Sequence, residues 1–166
     1  DRADVDVDAA RDIEDAMAAA AQVAAGEELP ETVVARLACA LTEPQVRDTL
    51  YALAVGDGAA QAEALWAMLS RTLPAPWRVE ALVLLAFSAY ARGDGPLAGV
   101  SLEAALRCDP PHRMAGMLDT ALTAARQTRP DRDFHVIRDL PSETLYLRTD
   151  ADRLTQRFFP TGIEVE

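Results

Sequence analysis

Along most of this chain the apolar positions return every three or four residues, the period of an α-helix, and Gly or Pro punctuates the runs. "DVDAARDIEDAMAAAAQVAAG" predicts a helix from about Asp8 to Ala25, with a thin stripe of Ile13, Met17, Ala20 and Ala21. Acids crowd its first turns, where they complement the helix dipole, and Gly26 stands where a left-handed cap belongs. Pro30 takes the first position of the next run, which carries Val33, Val34, Leu37, Cys39 and Leu41. Thr42 and Gln45 have the spacing of a capping box ahead of Val46, Leu50, Leu53 and Ala54, and Gly56-Asp57-Gly58 closes that run. A helix from Ala59 to about Leu73 follows with Leu65, Trp66 and Leu69, then Pro74 and Pro76 break the chain. The run from about Pro76 to Arg92 contains "ALVLLAF" and is apolar nearly all round, which predicts burial at the centre of the fold. Two more helices span about Gly95 to Cys108 and His112 to Arg126.

The pattern changes after Arg129. Residues 130–166 hold three of the ten prolines and three of the four phenylalanines, with little alanine. "DFHVIRDL" reads as a short strand or an extended arm, and "TDADRLTQRFF" as a short helix begun at Thr149. The expected organisation is therefore all-α. An acidic N-terminal segment or linker helix covers residues 1–29, and a helical domain covers 30–127. An aromatic-containing, partly extended tail covers 128–166. The domain consists of helical hairpins, packed as a compact bundle or a short array.

Two stretches invite a repeat reading. "LYALAVGDG" (50–58) and "FSAYARGDG" (87–95) align at an offset of 37, while Ala64 with Ala98, Met68 with Leu102 and Pro76 with Pro110 align at 34. The second unit resembles a tetratricopeptide repeat at Leu85, Ala86, Gly93-Asp94, Ala98, Ala105 and Pro110. It departs from that motif at Leu82 and Ala89, where aromatics are usual. The resemblance implies that Ala86, Ala98 and Ala105 let neighbouring helices approach closely. It also implies a concave face on Glu80, Val83, Phe87, Tyr90 and Ala91. A second resemblance rests on "RVEALVLLAFSAYARGDGPLAGVSLEAALRCDPPHRMAGMLDTAL" (78–122) and "LTEPQVRDTLYALAVGDGAAQAEALWAMLSRTLPAP" (41–76). These are similar to an actinobacterial family catalogued as a domain of unknown function, number 4192. That likeness covers about residues 30–126, brings no activity with it, and implies a place in a longer protein.

Composition narrows the function classes. Half of the residues are hydrophobic but only 5% are aromatic, so the core rests on Ala, Leu and Val. There are 33 alanines and no lysine; all 16 basic residues are arginine. The formal net charge is −11, of which residues 1–31 carry −8, from ten acids and two arginines. A chain this acidic repels phosphate backbones and anionic bilayers, which argues against nucleic-acid and membrane partners. No apolar run reaches the roughly 18 residues of a membrane span. Cys39 and Cys108 are expected as small buried thiols in a reducing compartment, hence a cytoplasmic protein.

Candidate chemistry is sparse. Asp4, Asp6 and Asp8 have the 1, 3, 5 spacing of a calcium loop, but Ala9 stands where the turn glycine belongs and Asp15 where the closing Glu belongs. His112, after two prolines at a helix start, reads as a turn or cap residue, and His135 between Phe134 and Val136 as packing or exposed. Neither has metal-ligand spacing, and a lysine-free chain has no phosphate loop of the lysine type. The charges Arg78/Glu80 and Arg92/Asp94 flank the most apolar helix, as surface pairs, caps or the rim of a groove. No cofactor and no catalytic residue are expected. The expected role is a non-catalytic protein–protein or interdomain association module. Its groove would be marked by Glu80, Phe87, Tyr90 and Arg92 and fit an apolar or arginine-bearing segment, with the tail aromatics Phe134, Phe158 and Phe159 as one candidate. An accessory domain of an enzyme, a structural dimerisation bundle and a homodimer stay open as alternatives.

Overall fold

The computed structural model describes residues 2–128. Among the described residues there are seven α-helices, one 3-10 turn and no strand. The expectations for His135 and for Phe134, Phe158 and Phe159 lie outside the described residues, as do those for the strand or arm and the short helix after Arg129.

Helix α1 (Arg2–Ala24) ends as the sequence indicates. Gly26 has φ 82°, its N–H donates to Val23 O at 3.0 Å, and Glu27 N–H donates to Gln22 O at 3.0 Å. These two bonds satisfy carbonyls that the last turn would otherwise leave open. The buried face of α1 is Ala9, Ala16, Ala19 and Ala20, with Ile13 and Val23 packed beside it. Met17, expected on the stripe, is 51% exposed. The acidic segment thus contributes an alanine face to the core, laid chiefly against a later helix, α4 (Ala59–Thr72). The backbone is helical through Asp4, Asp6 and Asp8, so a calcium loop is not formed there.

Helix α2 (Glu31–Ala40) begins one residue after Pro30, which occupies the cap position. The capping box expected from Thr42 is not built. The Thr42 hydroxyl donates to Cys39 O at 2.6 Å, closing α2, and Glu43 becomes the cap residue of α3 (Pro44–Leu50) without a side-chain bond. The helix then tightens into a 3-10 turn, Tyr51–Ala54. Cys39 and Cys108 are free and exposed, contrary to the expected burial. Cys39 lies on the outward side of α2 between buried Ala38 and Ala40, and Cys108 ends a later helix, α6 (Gly95–Cys108), three residues past its last buried residue, Ala105.

Helices α4 (Ala59–Thr72) and α5 (Arg78–Ala91) form a hairpin through the Leu73–Trp77 loop. Val79, every residue from Ala81 to Ala86, Ser88 and Ala89 are buried on α5, the all-round burial that "ALVLLAF" predicts. It packs against α4 on one side and α6 (Gly95–Cys108) on the other, and it also touches the 3-10 turn and α7 (Arg113–Thr128). Ala86, Ala98 and Ala105 have no exposed surface, which makes them close-approach positions between these helices.

The Gly93-Asp94-Gly95 break resolves into two caps back to back. Gly93, at φ 86°, donates to Tyr90 O at 3.0 Å, and Asp94 N–H donates to Ala89 O at 2.8 Å, ending α5. The Asp94 carboxylate then accepts from Leu97 N–H at 2.9 Å, starting α6. The analogous Gly56-Asp57-Gly58 break lacks this device, since Gly58 caps α4 and makes no side-chain bond. At the other end of the last hairpin, Arg126 Nη2 donates to Gly95 O at 3.1 Å. That bond brings the end of α7 beside the start of α6, so the two helices run antiparallel.

Candidate functional site

The α5 face that the sequence nominates as a groove is covered. The 3-10 turn packs against it, Arg47 of α3 reaches Glu80, and Val83 is fully buried. Glu80 and Phe87 are brought together with side chains from this cover, while Tyr90 and Arg92 stand at the far end of the helix.

Phe87 packs edge-on against Tyr51, with centroids 5.1 Å apart and planes at 72°. This geometry sets the ring edge of one against the π face of the other. Tyr51 itself is buried, yet its hydroxyl has no partner among the described residues. Burial raises the Tyr51 pKa far above the ordinary tyrosine value, and the charges of Glu80 and Asp48 push the same way against the opposing pull of Arg47.

Glu80 is the hub of a polar cluster. Its Oε1 accepts from Arg47 Nη1 at 3.3 Å and lies 3.2 Å from His112 Nε2, joining α3, α5 and the start of α7. Arg47 also donates through Nε and Nη2 to Asp48 Oδ1, both at 3.1 Å. Burial works against the Arg47 cation, but Glu80 and Asp48, with a smaller part from Tyr51, outweigh it and raise its pKa. The side chains of Arg47, Glu80 and His112 are only 24%, 16% and 11% exposed, so solvent screens this cluster less than it would a surface pair. The second carboxylate oxygen of Glu80 is buried and has no partner.

His112 has the capping role that its position suggests. Ala115 N–H donates to Nδ1 at 3.2 Å, so Nδ1 carries no proton and Nε2 carries the one it donates to Glu80. Both ring nitrogens are engaged, which leaves neither free to accept a substrate proton in this arrangement.

Arg92 forms a separate, more open cluster. It donates to Glu63 through Nε at 2.7 Å and Nη2 at 2.9 Å, and to Asp94 at 2.9 Å. The bond to Glu63 raises the Arg92 pKa, with burial opposing and Asp94 adding to it. These contacts tie the start of α4 to the α5–α6 turn. The expected Arg92/Asp94 pair is present, whereas the bonds of Glu80 go to Arg47 and His112 rather than to Arg78.

Sequence reasoning missed Arg47, Asp48 and Tyr51. The only local signal was the four-residue spacing of Arg47 and Tyr51, which puts both on one face. Among the described residues, no group of three or more His, Cys, Asp or Glu side chains is gathered as a metal site.

Residues 1–128 match the family model described as Domain of unknown function (DUF4192). The chain belongs to that family. No curated protein matches it, and neither does any solved structure. The DUF4192 match includes α1, which the sequence resemblance at about 30–126 left out. The buried alanines of α1 agree with that wider extent.

Proposed function

We propose that this DUF4192 domain is a non-catalytic helical module that associates with another protein, or with another part of its own polypeptide, through apolar side chains. The observation that carries this reading is exposure. Met17, Val55, Trp77 and Val100 stand 51%, 51%, 45% and 65% exposed, while the titratable groups around α5 are spent on one another. Trp77 matters most among them, because exposed tryptophan is costly in water and is enriched where partners dock. The net charge of −11 favours a protein partner over a nucleic acid or an anionic membrane. No described helix is long and apolar enough to cross a bilayer. Two free, exposed thiols suit a reducing compartment, which supports a cytoplasmic location.

Light scattering together with acrylamide quenching of tryptophan tests the reading, on this chain and on any longer polypeptide that contains it. Trp66 is buried, so quenching reports Trp77. Association gives a mass above the monomer, or a Trp77 that is shielded in the longer polypeptide. A monomer in both, with Trp77 equally quenched, would overturn the proposal.

A further inference from the structure

The His112 ring serves two parts of the fold at once. Its Nε2 lies 3.2 Å from Glu80 Oε1 on α5, and its Nδ1 accepts from Ala115 N–H at 3.2 Å. His112 directly precedes α7, and Ala115 is the third residue of that helix. At this spacing a cap side chain satisfies an open N–H of the first turn. Serine, threonine, asparagine and aspartate are the usual residues there, and each still accepts a hydrogen bond in mild acid. A histidine accepts only while one ring nitrogen carries no proton, and it is the side chain whose ordinary titration falls in the mildly acidic range.

The groups around the ring decide what a second proton does. Glu80 faces it from α5, and Arg47 of α3 shares the same carboxylate oxygen while also holding Asp48. Together Arg47, Asp48 and Glu80 carry one negative charge in excess, which a proton on His112 neutralises. Arg78 precedes Glu80 by two residues on the same helix, and Tyr51 of the 3-10 turn adds a hydroxyl. Helix α6 ends near Arg107, which pairs with Glu103 at 3.7 Å. Asp109, whose carbonyl accepts from His112 N–H at 3.1 Å, and Arg113 complete the surroundings. Protonation therefore acts in opposite senses at the two nitrogens. At Nε2 it makes the bond to Glu80 a charge-assisted one. At Nδ1 it replaces a lone pair by a donor aimed at the Ala115 N–H, beside the positive end of the α7 dipole.

We propose that His112 is a pH-sensitive latch on the start of α7: in mild acid the ring stays on Glu80 and lets go of the helix, and residues 113–116 open. The rest of α7 has its own hold, since Leu118 and Leu122 are buried and Arg126 bonds to Gly95 O. Met114 and Ala115 are buried in the turn that opens, so acid bares apolar side chains that stay covered at neutral pH. The latch stands apart from the association reading, because it involves neither Trp77 nor a partner.

Amide hydrogen exchange read by NMR on the full chain, at pH 7.5 and 5.0, tests it. Each rate is divided by that of an unstructured chain at the same pH, and the ring nitrogen shifts of His112 report its protonation in the same samples. Protection of Ala115 and Gly116 should fall by at least about threefold at the lower pH, with amides 118–122 changing by less than about half as much. His112→Asn supplies a cap that does not titrate, so protection of Ala115 in that variant should be the same at both pH values. Equal protection of Ala115 in the wild type at the two pH values overturns the proposal. So does a ring still neutral at pH 5.0, a fall spread evenly over α7, or the same fall in His112→Asn.

Discussion

Replacing Tyr51 by Phe removes a single oxygen, and the structure assigns that oxygen a cost. The Tyr51 hydroxyl is buried and has no partner, and a buried polar group left without one destabilises by about 1–3 kcal/mol. The ring is retained, so the edge-on contact with Phe87 at 5.1 Å survives. The small void left behind offsets a few tenths of that gain. Tyr51→Phe should stabilise the protein by about 1 kcal/mol at neutral pH, raising Tm by about 3–5 °C for a domain of this size. Alkali sharpens the test. The folded-state pKa of Tyr51 is raised by burial and by Glu80 and Asp48, so the folded chain keeps this proton when the unfolded chain releases it. The associated stability is complete below the unfolded value of about 10 and is lost as pH climbs beyond it. By pH 11 the wild type should have lost about 1.4 kcal/mol more than Tyr51→Phe, and the other tyrosines, common to both proteins, cancel. Urea denaturation followed by circular dichroism at pH 7.5, 10 and 11 measures both effects. A Phe variant less stable by about 1 kcal/mol at pH 7.5 would refute the reasoning by showing that the hydroxyl is hydrogen-bonded, and parallel alkaline profiles would refute it by showing that the folded chain releases the Tyr51 proton as readily as the unfolded one.

Ala98→Leu should overpack the α5–α6 contact and cost about 1–3 kcal/mol, because Ala98 has no exposed surface. Val100→Leu, two residues on and exposed, should change urea stability by less than about 0.5 kcal/mol. Glu80→Ala should cost about 2 kcal/mol by leaving Arg47 and His112 without their shared acceptor. A double-mutant cycle with His112→Ala should show coupling of about 0.5 kcal/mol or more, and strict additivity would deny the contact. Asp94→Ala should cost about 1 kcal/mol through loss of the Leu97 N–H cap, read as a fall in Tm.

What was legible in the sequence follows from the range of the interactions. The α5–α6 turn could be read because a left-handed glycine, a capping aspartate and a proline act within six residues. The central place of α5 could be read because its apolar run leaves no polar face to turn outward. The phase of α1 was less clear. An alanine-rich helix offers several apolar stripes of similar hydrophobicity, and the smallest side chains allow the closest approach to α4. The face with Ala16, Ala19 and Ala20 therefore wins over the one with Met17. The Glu80 cluster was illegible for another reason. Its partners lie 33 and 32 residues away, and no local spacing announces where three helices will cross. Of the face expected from repeat register, Val83 is fully buried, because the 3-10 turn packs on α5 where the register leaves it open.

On the reading proposed above, stability and association fall to different residues of this fold. Glu80 is the one carboxylate on a helix otherwise given to packing, and it binds α3 and the start of α7 at once. Two helices distant in sequence are thereby held in register on α5 by directional bonds, where leucines and alanines alone would tolerate a slide. Changes at Glu80, Tyr51 or Ala98 act on that register, and so on the folded state as a whole. Trp77 and Val100 contribute little to it, since about half or more of each side chain's possible contact is with water. A substitution such as Val100→Asp or Trp77→Ser should therefore leave Tm within about 2 °C and act on association alone. If association through these apolar positions is what the domain does, its loss must appear in such variants while the melting curve stays in place. A Tm that fell together with binding would mean that Trp77 and Val100 are part of the core, and the division argued here would fail.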